Sequence, residues 1–141
     1  MSRIVSTEIR VGWGDCDPAE IVYYPTFFRW FDVATFAFFE ACGVPILELK
    51  ARYGTLGLPL LEASAKFEAS ARPQDRLTVE TELAALKSKT LELRHRVLRD
   101  GTRLLEGREL RVWAVADAKR DKGMRAAAIP PEVAEALRRP A

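Results

Sequence analysis

The sequence predicts a single α+β domain, residues 1–141, in which a strongly curved antiparallel sheet wraps around one long buried helix. Three observations predict it. Residues 27–42 carry apolar side chains around nearly the whole circumference of a helix, and a helix apolar on all sides must be enclosed by the rest of the chain. After Gly57-Leu58-Pro59 the hydrophobic period changes from helical to two, the period of a half-buried strand. Asp100-Gly101 stands between two such alternating runs and suits the two-residue turn of a β-hairpin. A helix that needs cover on several sides, followed by hairpin-linked strands, is satisfied by a sheet that bends around it.

Residues 4–13 alternate loosely and end at Gly12 and Gly14, as a first strand does. A polar loop follows, Gly14-Asp15-Cys16-Asp17-Pro18-Ala19-Glu20. Tyr24-Pro25-Thr26 then opens the helix, since proline suits a first helical turn in which its missing N–H is not needed. Phe27, Phe28, Trp30, Phe31, Val33, Ala34, Phe36, Phe38 and Phe39 supply the apolar surface, and Gly43 with Pro45 ends the run. The polar residues Arg29, Asp32 and Glu40 fall within an arc of about 80°, so one narrow side meets something polar. A short helix is expected over 46–52. Strands are expected over 63–71, 77–86, 90–99 and 103–115, and a last helix over 130–138.

The chain has 141 residues, 48% of them hydrophobic, which suits one compact core. Charged residues make up 30%, with a net charge of +2. That balance lacks the concentrated basic excess of a nucleic-acid binder, though it allows a local basic patch for a phosphorylated small molecule. Cys16 and Cys42 are the only cysteines. Without CxxC spacing they read as reduced, buried residues of a cytoplasmic protein. The N-terminus has no apolar signal core. The longest apolar stretch, 27–42, is interrupted by Arg29, Asp32 and Glu40 and is too short to span a bilayer.

Several chemistries lack their parts. There is no GxSxG nucleophile elbow, no HExxH or CxxC metal spacing and no glycine-rich nucleotide loop. The single histidine, His95, lies mid-strand and is expected to face solvent or a partner. What remains is the loop Asp15-Cys16-Asp17-Pro18 with Tyr23-Tyr24-Pro25 at a helix start. Acyl-transfer chemistry needs a nucleophile or base near a carbonyl carbon and a donor for the oxyanion. A loop carboxylate and the free N–H groups of a helix N-terminus supply both halves within seven residues. The same Asp-x-Asp-Pro pattern also serves as ordinary turn chemistry.

The stretch Gly14-Asp15-Cys16-Asp17-Pro18-Ala19-Glu20-Ile21-Val22-Tyr23-Tyr24-Pro25, with the aromatic-rich helix after it, closely resembles the 4-hydroxybenzoyl-CoA thioesterase family. The similarity continues through Gly43-Val44-Pro45 and Gly57-Leu58-Pro59 to Trp113. The resemblance implies the hotdog fold and hydrolysis of an acyl-coenzyme A thioester with no cofactor. It also implies a homo-oligomer, a dimer of dimers. By the same resemblance Asp17 is the catalytic carboxylate, as nucleophile or as general base on water, and the Tyr24 N–H polarises the thioester carbonyl. Asp32 faces the distal end of an aryl acyl group; its ordinary alternative is a pairing with Arg29. Lys87, Ser88 and Lys89 match the place where the family binds the phosphates of coenzyme A, and the alternative there is a solvated turn.

Two positions depart from the family pattern. Glu20 replaces a common glycine. Leu58 stands where the member acting on 4-hydroxybenzoyl-CoA has a polar residue, and so in the substrate-binding set it suits a less polar acyl group. Asp15, two residues from Asp17, is expected to hold the loop. The readings that compete with an aromatic acyl-CoA thioesterase are a short-chain or carrier-protein thioesterase and a non-catalytic acyl-CoA-binding module.

Overall fold

The structure, a computed structural model, describes residues 3–140. Its five-stranded antiparallel sheet has the order β1-β4-β5-β6-β3. The strands are β1 (Ile4–Arg10), β3 (Leu60–Phe67), β4 (Arg76–Leu86), β5 (Thr90–Arg99) and β6 (Thr102–Val112). Alternation decides which side chains face inward. Leu77, Val79 and Thr81 of β4, with Leu91, Leu93, His95 and Val97 of β5, point to one face and are buried. Glu109 and Arg111 of β6 are buried too. Register shifts at Leu60/Glu62, Leu83/Ala85 and Val97/Leu98 bend the strands, as bulges do. The helix α1 (Pro25–Ala41) lies in the resulting hollow against β1 and β4.

The outer face is charged. Arg94 pairs with Glu82 (3.2 Å) and Glu106 (3.5 Å), Arg96 with Glu80 (3.5 Å) and Glu82 (3.5 Å), and Arg108 with Glu92 (2.6 Å). Each partly exposed pair contributes little alone. Together they make this a solvated face and direct the core to the other side.

The turn between β5 and β6 is as expected: Asp100 (φ 50°) and Gly101 (φ 78°) both take the left-handed backbone that a type I′ turn requires. The final helix, α3 (Pro131–Arg138), also lies where the sequence placed it. Three differences stand out. The third strand covers 60–67 rather than 63–71, because the Glu68 and Ala69 N–H groups both turn to the Leu104 carbonyl (2.8 and 3.0 Å) and end the ladder. A small second sheet, β2 (Thr55–Gly57), β7 (Ala114–Ala116) and β8 (Met124–Ala126), is built from segments too short to show a period. With α2 (Ile46–Tyr53) and α3 it encloses Trp113, Leu49, Val133 and Leu137. Finally, α1 is not covered all round: Val33 and Phe36 remain exposed beside Arg29, Asp32 and Glu40. The edge strand β3 likewise leaves Leu60, Leu61 and Phe67 about half exposed. Among the described residues no single helix is long and apolar enough to cross a membrane.

One close approach fixes how α1 sits. Gly107 lies opposite His95 in the ladder, and the Phe31 ring stacks on the His95 ring with centroids 4.7 Å apart and planes 4° apart. A Cβ at Gly107 would fall 2.3 Å from that Phe31 ring. Gly107→Ala is therefore expected to destabilise the fold by about 3 kcal/mol, the upper end for overpacking, or about 10 °C in Tm. Strand propensity alone would forecast a gain for the same change, so a denaturant melt of the variant separates the two.

Candidate active site

The loop between β1 and α1 is held as a short hairpin. Val11 donates its N–H to Asp75 O (2.9 Å), and Gln74 donates to Val11 O (2.8 Å). Trp13–Asp15 forms one 3-10 turn. Asp15 latches it: one carboxylate oxygen accepts from the Gly12 N–H (2.8 Å) and the other from Arg29 Nη2 (2.8 Å). Asp15 thus has the loop-holding place expected for it. Arg29 is committed there, and not to Asp32.

Cys16 bridges to Val22, Asp17 donates its N–H to Ile21 O (2.9 Å), and Tyr23 donates to Asp15 O (2.9 Å). The hairpin tip closes through the Glu20 N–H and Asp17 O (2.9 Å). Glu20 itself adopts φ 61°, the left-handed region that glycine occupies without penalty. That is the physical reason a glycine suits this position. Asp17 is oriented by its own turn, with Oδ1 accepting the Ala19 N–H (2.8 Å). Among the described residues Oδ2 has no partner. Asp17 lines a surface cleft of about 380 Å³ with Trp13, Cys16, Pro18 and Glu20. Cys16 does not compete as a nucleophile: burial first, then the nearby Asp15 carboxylate, push its thiol up.

Tyr24 begins the helix with Pro25 at the first position. The Thr26 N–H bonds Tyr23 O (2.8 Å) and the Phe27 N–H bonds Tyr24 O (3.2 Å), while the Tyr24 N–H has no acceptor among the described residues. It stands on the arm of the hairpin antiparallel to the one that carries Asp17, at the positive end of a 17-residue helix. A half-buried carboxylate with one open oxygen and an open helix-terminal donor can attack or hydrate an ester-type carbonyl and hold its oxyanion.

Further along α1, Asp32 sits on the polar rim, its side chain 69% exposed. Its Oδ1 accepts from Arg111 Nη2 at 2.8 Å. Arg111 is buried, and its fork also reaches Glu109 Oε2 (2.7 Å) and the Leu58 carbonyl (2.9 Å). Glu109 Oε1 accepts from His95 Nε2 (2.8 Å) and from the Thr35 hydroxyl. His95 Nδ1 meets Thr81 Oγ1 at 2.8 Å. Burial alone would raise the Glu109 pKa. Its hydrogen bonds to His95 and Arg111 win, and hold it at about 2 against an ordinary 4.5. Burial works against the Arg111 charge as well, and Glu109, then Asp32, raise its pKa above the ordinary value.

His95 corrects an expectation: it faces neither solvent nor a partner but is fully buried in this network. The signal was present. Positions 91, 93, 95 and 97 alternate inward, and so do 105, 107, 109 and 111. What the sequence hides is that the sheet register sets His95 beside Glu109.

Leu58 is buried with Phe38, Phe39 and Trp113, so its link to Asp32 runs through its carbonyl and Arg111. Lys87, Ser88 and Lys89 form the exposed turn between β4 and β5. That turn is pinned by Lys87 N–H to Thr90 O (2.8 Å) and by Ile129 N–H to Ser88 O (2.8 Å). The Asp17 hairpin adjoins the Arg76 end of β4 and the lysine turn follows its Leu86 end, so roughly 33 Å of strand separates them within one chain. The structure does not bring the two together. Lys87 lines instead a cavity of about 250 Å³ on the outer sheet face, with Arg108, Glu62 and Glu92. The carboxylates in that cavity make it a poor phosphate site, and the cleft lined by Asp17, whose second carboxylate oxygen is open, is the better candidate for chemistry. Among the described residues no cluster could hold a metal ion.

The chain is similar to known proteins over nearly its whole length. The model of the thioesterase-like superfamily matches residues 11–137. The chain is 33% identical to 4-hydroxybenzoyl-CoA thioesterase from Pseudomonas sp. (strain CBS-3), over 96% of this chain and 98% of that enzyme. An Asp-to-Asn mutant of 4-hydroxybenzoyl-CoA thioesterase, crystallised with 4-hydroxybenzoyl-CoA, superposes with a TM-score of 0.87 at 33% identity, covering 96% and 99% of the two chains. A gentisyl-coenzyme A thioesterase superposes with a TM-score of 0.80 at 32% identity, covering 94% and 98%.

Proposed function

Because the chain belongs to the thioesterase-like superfamily, we propose that this acyl-CoA thioesterase acts on aromatic esters, hydroxybenzoyl-coenzyme A foremost, and releases the free acid and coenzyme A. The observation that carries the reading is the pairing of the open Asp17 Oδ2 with the unpartnered Tyr24 N–H on the two arms of one hairpin. The relatives named for 4-hydroxybenzoyl and gentisyl esters support a hydroxylated aryl group, and so does the exposed Asp32 carboxylate on the rim of α1.

In the reaction, the thioester carbonyl oxygen accepts the Tyr24 N–H as its negative charge grows. Asp17 either attacks the carbonyl carbon, giving a mixed anhydride that water then cleaves, or takes a proton from the water that attacks. Both routes expel the coenzyme A thiolate, which leaves with a proton, and both return Asp17 to its starting state. Single turnover in ¹⁸O-water tests for the first route: label in the Asp17 carboxyl means that water cleaved the anhydride at the Asp17 carbonyl, which the general-base route cannot do. No cofactor enters either route.

A homo-oligomer completes the site in this reading. The exposed apolar residues of β3 and α1 need cover, and a second copy can bring its Lys87, Ser88 and Lys89 turn to the phosphates of a coenzyme A bound at Asp17. The test is thiol release from a panel of 4-hydroxybenzoyl, benzoyl, phenylacetyl and short aliphatic coenzyme A esters, with an acyl-carrier-protein ester beside them. Preference for an aryl ester is the expected result. Preference for the carrier-bound or aliphatic ester overturns the substrate class, and binding without turnover favours an acyl-CoA-binding module.

A further inference from the structure

We infer that Arg111, locked by Glu109 and the buried His95, is the positioning residue that fixes Asp32 as an acceptor and so selects acyl groups with a hydrogen-bond donor at their distal end. The inference rests on the reading above in one respect, that the acyl group reaches Asp32.

The argument starts from an anomaly of placement. An aspartate 69% exposed on a helix rim ordinarily samples several rotamers, and a substrate that binds it must freeze them. Here Oδ1 is held at 2.8 Å by a guanidinium that is itself held on three sides, by Glu109 Oε2, by the Leu58 carbonyl and by Asp32. The fork geometry of arginine makes this possible, and the single ammonium of lysine cannot reproduce it. Glu109 is fixed in turn by the Thr35 hydroxyl and His95 Nε2, and His95 by Thr81 and the stacked Phe31 ring. A continuous chain of buried contacts therefore runs from the middle of the sheet to one carboxylate at the surface.

Charge gives the chain its selectivity. Glu109 already balances Arg111 at 2.7 Å, so Asp32 keeps a net negative charge at the rim. Its Oδ2, without a partner among the described residues, accepts from a hydroxyl or amine. An unsubstituted ring gives it nothing, and a carboxylate-bearing acyl group is repelled.

The test compares kcat/KM for 4-hydroxybenzoyl-CoA with kcat/KM for benzoyl-CoA in the wild type, Asp32→Asn, Arg111→Met, Arg111→Lys and the double variant Asp32→Asn/Arg111→Met. The ratio of two substrates on one preparation does not depend on the fraction folded, so a destabilised variant still reports. The wild type is expected to favour the hydroxylated ester. Each Arg111 variant is expected to cut that preference about 10- to 100-fold, the range of a lost hydrogen bond to a charged group, through the hydroxybenzoyl ester alone. The double variant should be no worse than Asp32→Asn, as for residues acting in series. If Asp32→Asn erases the preference and the Arg111 variants keep the wild-type ratio, or lower both esters equally, the positioning role is overturned and the functional reading stands. If the wild type hydrolyses neither ester, both fall.

Discussion

Asp17→Asn leaves the protein folded and able to bind acyl-coenzyme A, and lowers kcat by about 10²- to 10⁴-fold. Both halves of the result follow from how the carboxylate is held. Asparagine keeps an oxygen for the Ala19 N–H that Asp17 Oδ1 now accepts at 2.8 Å, and the hairpin bonds from Asp17 N–H to Ile21 O and from Glu20 N–H to Asp17 O are backbone bonds. The turn survives, and the stability change stays within about 0.5 kcal/mol. What disappears is the second oxygen as nucleophile or base, and removing such a group costs roughly 10² to 10⁴ in rate. KM for the preferred ester should change only a few-fold, because the Ala19 N–H bond, and with it the shape of the turn, is kept. Asp15→Asn is the contrasting control. It weakens the latch on Arg29 and should act through loop order, with a partial loss of rate. The assignment is sunk if Asp17→Asn retains more than a tenth of the wild-type kcat.

Much of this arrangement was legible in the sequence because it is local. The hairpin turn at Asp100-Gly101, the proline-led start and glycine-marked end of α1, and the carboxylate beside a helix N-terminus each depend on a few consecutive residues. The Glu20 departure is equally local, since a glycine position is a statement about φ, and Glu20 has φ 61°. The buried relay was not legible. Thr35, Thr81, His95, Glu109 and Arg111 come from α1, β4, β5 and β6, and only the sheet register brings them together. Local reasoning offered Arg29 as the ordinary partner of Asp32, because the two share one helix. In the fold Arg29 turns to Asp15, and Asp32 turns to an arginine 79 residues away. The short strands β2 and β8 were hidden for a different reason: three residues are too few for any period to show, whereas β7 falls in the expected strand 103–115, which the fold breaks at Trp113.

Truncating Glu109 is expected to be the most destabilising single change in the relay. Glu109→Leu leaves Arg111 and the fully buried His95 without their carboxylate. Breaking a buried pair from one side costs about 3–5 kcal/mol, because the remaining charge stays buried and uncompensated. The pH dependence gives a sharper check. The folded-state pKa of Glu109 lies near 2, below the ordinary 4.5, so the native state favours the charged form. Its contribution is fully present above pH 4.5 and is lost as pH falls through about 2. The drop from 4.5 to about 2 corresponds to about 3 kcal/mol. Urea melts of the wild type between pH 5 and 2 should therefore show stability falling with pH, and Glu109→Gln should flatten that slope after a lower start at pH 5. Asp75 also has a lowered pKa, chiefly from the Arg72 N–H, but it titrates in both proteins and cancels in the difference. Identical slopes would show that Glu109 is not held as an ion. Replacing both charges, Glu109→Leu with Arg111→Met, should regain part of the loss, since an apolar pair of similar volume leaves no charge buried alone. The double variant should nonetheless fail to distinguish 4-hydroxybenzoyl-CoA from benzoyl-CoA. Recovery of stability without recovery of selectivity is the outcome that separates what the buried ions do for the fold from what they do for Asp32.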